Sequence, residues 1–401
     1  MYTNKYIYKS FKELSKLSNS FLINNQYAYI NRVKKTSILE GFAFKSYYTD
    51  KTMTQESVAS RINEFNNTNY HRTSFSKRSN SLPDELFIDY YNYINEKINI
   101  LFPKNIMPIQ LISCDGTHSN SYNKSSKCGI IDSISMGFFN ITYNEPSFLT
   151  QLNHKNERKG FISNLKNTEN SDIKNIYVMD RGFQDKKMFA ELATSDKLFV
   201  CRSRESVIFK GIDTDDIYVK NVRYVKYFIN NIEYILATNI SKDIMSINEL
   251  KNIYARRWDV EEYFKFVKHN MKMDCFSQKK LDSIKTSIYA NLIMSKIVYL
   301  IFNLYKHKCK VNQIINKAFL TSELYSTFLL KFVYNKKFSE RFLIKFFKNS
   351  IKFSPTNKGK NICNPRTCKM PYKKWGKKQH TQKLVKDKKN EKKTNKNVGI
   401  T

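Results

Sequence analysis

IMPIQLISCDGTHSN, residues 106–120, is an apolar run that stops at Asp115-Gly116. A buried strand reads this way when it ends in a turn, and the reading delivers a carboxylate to the strand's exit. NIYVMDRGF, residues 175–183, repeats the pattern: Ile176, Tyr177, Val178 and Met179 form a short apolar strand that ends at Asp180-Arg181-Gly182. Two strands therefore finish on aspartate. Between them, ISMGFFNITYN (134–144) reads as one or two further strands and EPSFLTQLNHKNERKGFISNLKN (145–167) as a polar or helical connection.

Downstream of Asp180 the chain turns β-rich. KLFVCRS (197–203), SVIFKGI (206–212), DIYVKNVRYVKYFI (216–229) and IEYILATN (232–239) are dense in β-branched and aromatic residues, and Asn230-Asn231 is the pair expected of a tight hairpin turn. Helical patterns follow. In IYARRWDVEEYFKFVKHN (253–270), helical geometry places Tyr254, Arg257, Glu261 and Lys268 within roughly 60° of one another, as one stripe. An aromatic ring, a guanidinium, a carboxylate and an ammonium in a row suit a polyanion lying lengthwise; a surface helix with ordinary ion pairs gives the same periodicity. Glu262 points about 100° away from the stripe and is the weaker ligand candidate.

The region before Ile106 reads as helical and basic. In SNSLPDELFIDYYNYINEKI (79–98), Ser81 fits an N-cap, Pro83 the first turn, and Leu86, Tyr90, Tyr93, Ile94 and Ile98 recur at helical spacing. Just upstream, YHRTSFSKRSN (70–80) reads as a loop that offers Arg72, Lys77 and Arg78 to phosphate. Apolar helical stretches run from about Ser283 to Phe347. The segment from Ser354 to the C-terminus holds fifteen Lys and Arg against Asp387 and Glu391 and reads as disordered when free.

Composition narrows the function. The chain has 401 residues and 41% hydrophobic content, enough for a sizeable core, and carries 69 Lys plus Arg against 35 Asp plus Glu, a formal charge of +34. Such a field favours nucleic acid or an anionic membrane surface, although an AT-rich genome also inflates Lys, Asn and Ile. Seven scattered cysteines and no leader-like opening suggest a reducing, intracellular compartment without a disulfide framework. Cys363 and Cys368 have no second pair, which argues against zinc. The run LIMSKIVYLIFNLY (292–305) includes Lys296 and Asn303 and is too short to span a bilayer. No membrane association is expected.

The acids fit one chemistry. Phosphodiester cleavage with two divalent ions needs carboxylates from separate elements that converge so that the metals sit ~3.5–4 Å apart. Hard cations take oxygen ligands, and Asp115, Asp180 and Glu261 supply such a trio. Each aspartate alone also reads as an ordinary turn residue. His118 and His269 lie near the acids in sequence but show no ligand spacing.

The set CDGT (114–117), MDRGF (179–183) and Tyr254-x2-Arg257-x3-Glu261-x6-Lys268 resembles the DDE transposases of bacterial insertion sequences that carry a Tyr-Arg-Glu-Lys signature, the IS-four group. Trp258 and Val260 fit the same context, and the resemblance runs from about Arg72 to NPRTCKMPYKKWGK (364–377). It implies an α/β fold: a ribonuclease H-like core, with a mixed sheet flanked by helices, interrupted by a β-rich insertion and preceded by a helical N-terminal region. The expected divisions are a DNA-binding region at 1–105, the first part of the core at 106–183, the insertion at 184–244, the second part of the core with C-terminal helices at 245–353, and a basic tail at 354–401.

The resemblance further implies that Asp115, Asp180 and Glu261 are the catalytic, metal-holding triad for two Mg2+ or Mn2+ ions. Tyr254, Arg257 and Lys268 would hold phosphates and displaced nucleotides. Trp258 would stack on a flipped base or anchor its helix in the core, and Arg181 and Arg202 would reach DNA. The implied activity is cut-and-paste transposition by 3′ strand nicking, hairpin formation and strand transfer, acting on terminal inverted repeats and target DNA as a homodimer. The rivals are a transposase-derived DNA-binding protein without cleavage, a nuclease that cuts without joining, and a basic membrane-surface or RNA-binding scaffold. The last leaves the three acids unexplained.

Overall fold

The structure is a computed structural model. It describes residues 2–24, 26–27, 36–47, 54–122, 130–152, 156–165, 173–204, 216–219, 221–271, 273, 275–276, 281–309, 313, 315–336 and 339–352. All of these belong to the first of two units, Met1–Thr356. Five helices open it: α1 (Asn4–Asn24), α2 (Ile38–Tyr47), α3 (Gln55–Asn66), α4 (Arg72–Ser79) and α5 (Asp84–Leu101). The sheet-bearing part follows as β1 (Ile109–Tyr122), β2 (Ile130–Asn140), β3 (Glu145–Gln151), α6 (Glu157–Asn164), β4 (Lys174–Met179), α7 (Lys186–Thr194), β5 (Leu198–Ser203), β6 (Asp216–Val219), β7 (Val222–Ile229) and β8 (Ile232–Thr238). Then come α8 (Ile247–Ala255), α9 (Trp258–His269), β9 (Cys275–Phe276), α10 (Leu281–Lys306), α11 (Lys317–Glu323), α12 (Leu329–Val333) and α13 (Glu340–Lys352).

The nine-stranded sheet has the order β3-β2-β1-β4-β5-β8-β7-β6, with β9 paired to β1. β1, β2 and β3 form an antiparallel meander, while β4 and β5 join parallel to β1. An antiparallel meander extended by parallel strands in the order 3-2-1-4-5 is the ribonuclease H-like arrangement. Most of the segment from 145 to 167 that reads as connection is in fact β3 and α6. The β-rich stretch after Asp180 is not a separate body: α7 and β5 complete the parallel half of the core, and β8, β7 and β6 extend the same sheet antiparallel beyond β5. The β7–β8 hairpin turns at Asn230 and Asn231, both at positive φ (49° and 62°), which is the backbone a tight two-residue turn requires. The stretch 206–212 lies outside the described residues, as does the segment from Ser354 onward.

Alternation along the strands separates two faces. On one face Tyr177 and Phe138 pack against Phe161 of α6. On the other, Ile176, Val178 and Val200 bury with Leu250 and Tyr254 of α8, and Phe139 packs against Tyr263 of α9 and Tyr299 of α10. Gly137 makes the close approach of α9 possible, since a Cβ there would stand 2.5 Å from a ring carbon of Phe264.

The N-terminal helices share a core with the C-terminal ones. The Ser15 hydroxyl donates to Phe332 O (2.7 Å) and the Asn19 amide to Val333 O (3.0 Å), so α1 is tied to α12 and its end. The basic stretch read as a loop at 70–80 is α4. In it Arg72 pairs with Glu56 at 3.2 Å, and Arg78 is fully buried, which removes it from any surface that DNA meets. α5 begins at Asp84 with Pro83 as its N-cap and no side-chain cap; the Ser81 hydroxyl donates instead to Arg78 O. α10 is long and apolar enough to cross a membrane, yet 83% of its apolar window is buried within the protein. Its Lys296 is neutralised by Glu145 at 3.0 Å, as suits a core helix.

Candidate active site

Asp115 is not at the end of its strand. β1 continues to Tyr122 because β2 keeps pairing with it as far as Ile130. What ends near Asp115 is the partner on the other side: the β1–β4 ladder closes at Ser113↔Val178. Two residues further along each chain stand Asp115 and Asp180. Beyond them β9 takes up the place beside β1, at Asn120↔Cys275. Among the described residues, β1 therefore has no strand partner on that side between Ser113 and Asn120, and both carboxylates lie at this opening.

Local hydrogen bonds fix both aspartates. Gly116 N donates to Asp115 Oδ1 at 2.8 Å. Gly182 N donates to Asp180 Oδ1 at 2.7 Å, so Asp180 caps the short turn Arg181–Phe183. Burial, and then the neighbouring Asp180, push the Asp115 carboxyl up to about 7. Beneath the site on the opposite face, Cys114 and Cys201 are buried, and desolvation holds both thiols well above their ordinary range. They are poor nucleophiles there.

The raised Asp115 makes a stability prediction with a definite sign. An unfolded aspartate loses its proton near pH 3.9, and the folded one only near 7. The folded state thus holds the extra proton across that window, so this group's contribution to stability falls as pH rises from about 4 to 7. In EDTA, Asp115→Asn is expected to match wild type in urea denaturation near pH 4 and to exceed it by a margin that grows toward pH 8. A margin independent of pH refutes this account of Asp115.

The element expected as one helix is two. α8 ends at Ala255 and α9 starts at Trp258, with tighter hydrogen bonds between them: Arg257 N to Tyr254 O at 3.0 Å and Val260 N to Arg257 O at 3.3 Å. The Arg256 guanidinium supports this join by donating to Ile141 O. α8 is started by a capping box of Ser246 and Glu249. Across the break Arg257 stays beside both Tyr254, at 6.0 Å from its ring, and Glu261. The Tyr254 ring is buried, and desolvation raises its hydroxyl to about 12 against the opposing pull of Arg257 and Arg202.

Arg257 is the centre of the site's electrostatics. Only 6% exposed, its guanidinium lies 4.9 Å from the Trp258 ring, and its Nη2 donates to Glu261 Oε1 at 2.6 Å. Burial opposes its charge, but the Glu261 bond, with Tyr254 and Asp115 nearby, outweighs this and holds it above its ordinary value. Its Nε and Nη1 are buried without a hydrogen-bond partner among the described residues. Lys268 is half-buried; desolvation lowers its ammonium while Asp115 supports it. Trp258 is 56% exposed, so it does not anchor α9 in the core. Glu262 turns away to Lys265 at 2.5 Å. Arg181 is exposed beside Asp180, and Arg202 stacks 4.5 Å from the Tyr234 ring, on the face that carries Tyr254.

The donor set suits a hard divalent cation, because two carboxylates lie at one sheet opening, near enough that the charge of Asp180 raises Asp115. Glu261 is held by Arg257 through Oε1, which leaves Oε2 outside that bond. Among the described residues, no three Asp, Glu, His or Cys side chains converge on one point as arranged. One further carboxylate, Glu157 at the start of α6, covers Gly116: a Cβ there would stand 2.0 Å from Glu157 Oε1. Nothing in the local sequence singles it out, since it is brought there by the sheet order.

Residues 147–296 match the transposase DDE domain family, a span that includes Glu157, Asp180 and the whole of α8 and α9. Asp115 precedes the matched span. The chain is also 30% identical over 138 residues to a Synechocystis sp. protein named "Putative transposase for insertion sequence element IS4SA". That alignment takes in 31% of this chain and 41% of the relative, so the match spans about two fifths of the relative's length. Among solved structures, the piggyBac transposase synaptic complex with hairpin DNA is similar over 87% of this chain and 84% of that one, at 10% identity and a TM-score of 0.45.

Proposed function

We propose that the protein is a DNA transposase of an insertion sequence, and that Asp115, Asp180 and Glu261 hold two Mg2+ or Mn2+ ions at the opening beside β1. The observation that supports this most is the pair of aspartates at the end of the β1–β4 ladder, on the sheet face covered by α8 and α9, whose join holds Arg257 and whose second helix carries Glu261. Bound divalent ions supply an activated water or sugar hydroxyl and neutralise charge at phosphorus. The remaining work belongs to side chains. Arg257 offers Nε and Nη1 to phosphate oxygens, Lys268 adds a positive charge beside Asp115, and Trp258 presents an exposed ring to a displaced base. Tyr254, whose ring is packed in the core, has only its hydroxyl to give. Arg181 and Arg202 extend the basic rim.

In this reading the 3′ strand at the element end is nicked, a hairpin forms, and the reopened end joins target DNA, within a dimer that holds two ends. Residues 1–105, with the rest of the basic surface, take part in DNA binding. The Glu261–Arg257 pair favours one second reading, a descendant that binds DNA without productive metal binding. Full-length protein incubated with Mg2+ or Mn2+ and linear DNA carrying the ends that flank its own gene tests both. Site-specific 3′ nicks, hairpins and joined products are expected. Salt-sensitive binding of those ends without cleavage retires the enzymatic reading, and nicks without joining reduce it to a nuclease.

A further inference from the structure

α6 carries a carboxylate to the rim of this site that the Asp, Asp and Glu set does not use. β3 is antiparallel to β2, as β1 is, so β3 ends where β1 passes Asp115: Gln151 pairs with Ser135, and Ser135 with Thr117. α6 therefore starts at the same end of the sheet. Its placement is rigid. A Cβ at Gly160 would stand 2.4 Å from Leu152, Phe161 is enclosed by Phe138, Tyr177 and Phe183, and Arg158 is paired with Asp185 at 2.8 Å. The helix needs no cap from Glu157, because Asn156 Oδ1 already accepts from Lys159 N at 3.1 Å.

The Glu157 side chain instead reaches over β1. It occupies the space a side chain at 116 would take, with Oε1 2.0 Å from the position of such a Cβ. Gly116 is the residue whose N–H fixes the Asp115 carboxylate. No salt bridge holds Glu157 among the described residues. Desolvation, and then Asp180, raise its carboxyl, with His118 opposing. A partly buried carboxylate set beside two others costs stability unless a cation compensates. Across the sheet end Arg257, over nine-tenths buried with two unpartnered nitrogens near Asp115, is a second feature built for an anionic substrate.

We propose that Glu157 is a fourth carboxylate of the metal site, which closes on a divalent ion held by Asp115 and Asp180. This rests on the metal-dependent reading above. Carboxylates that repel one another spread apart without a cation, and a short rotation over the bare Cα of Gly116 brings Glu157 in.

The test titrates Mn2+ into the full chain, wild type, Glu157→Gln and Asp180→Asn, by electron paramagnetic resonance, and records Tm with and without Mn2+. Glu157→Gln is expected to weaken Mn2+ binding about tenfold or more, to shrink the Mn2+-induced rise in Tm, and to leave Tm in EDTA equal or higher. A purely structural first-turn acid gives the reverse: a lower Tm in EDTA and an unchanged Mn2+ increment, which overturns the proposal. Wild-type Mn2+ binding in Glu157→Gln with loss in Asp180→Asn also overturns it while leaving the metal site intact. Wild-type binding in both variants removes this proposal and the metal-dependent reading beneath it.

Discussion

Glu261→Gln is expected to lower metal-dependent cleavage of the element's own ends by at least about 10^3-fold and to change DNA affinity by no more than a few-fold. The substitution keeps size and shape, and the amide oxygen still accepts from Arg257 Nη2, now 2.6 Å from the carboxylate. What it loses is the negative charge that a divalent cation requires. The Glu261 side chain is 27% exposed and that of Arg257 8%, so the pair is half-sheltered. Its weakening should cost about 1–3 kcal/mol of stability, visible as a lower urea midpoint. The two effects separate cleanly: a fold still able to bind ends but unable to cut them assigns the loss to chemistry. Cleavage within tenfold of wild type removes Glu261 from the catalytic set.

The two aspartates were legible because a buried run that stops at a polar residue is a local signal. The apolar stretch through Cys114 and the one through Met179 both carry it. Their partnership was not legible, since it depends on β1 and β4 lying side by side in parallel. Sequence also placed the end of β1 too early: the pairing with β2 carries it to Tyr122, and that pairing is a long-range property. The same holds for Glu157, which reads as an ordinary residue in a polar connection until the sheet order puts the start of α6 over Gly116. The break between α8 and α9 is set by tertiary structure as well, through the bond from Arg256 to Ile141 O. α4 was missed because it is short and polar, with Phe75 its one large buried apolar side chain. The grouping of Tyr254, Arg257 and Glu261 was legible because its spacings of three and four residues hold through one tighter turn.

Arg257→Ala carries the other large expectation, and its two readouts move in opposite directions. A guanidinium that is 6% exposed, with one bonded nitrogen and two unpartnered ones, is costly to bury unless a further acceptor arrives. Phosphate at the DNA end is that acceptor in the transposase reading, and cleavage should therefore fall by about 10^2-fold or more. The same deletion releases Glu261, so Mn2+ affinity without DNA should rise several-fold. Arg257→Lys distinguishes charge from geometry. An ammonium can pair with Glu261 but cannot reach two partners through a planar fork, so Mn2+ affinity should stay near wild type while cleavage still drops about tenfold or more. If Arg257→Ala leaves metal affinity unchanged, the ion pair does not restrain Glu261. If Arg257→Lys cuts as well as wild type, only the positive charge matters, and Arg257 and Lys268 act as a diffuse field on the DNA rather than as a fitted clamp.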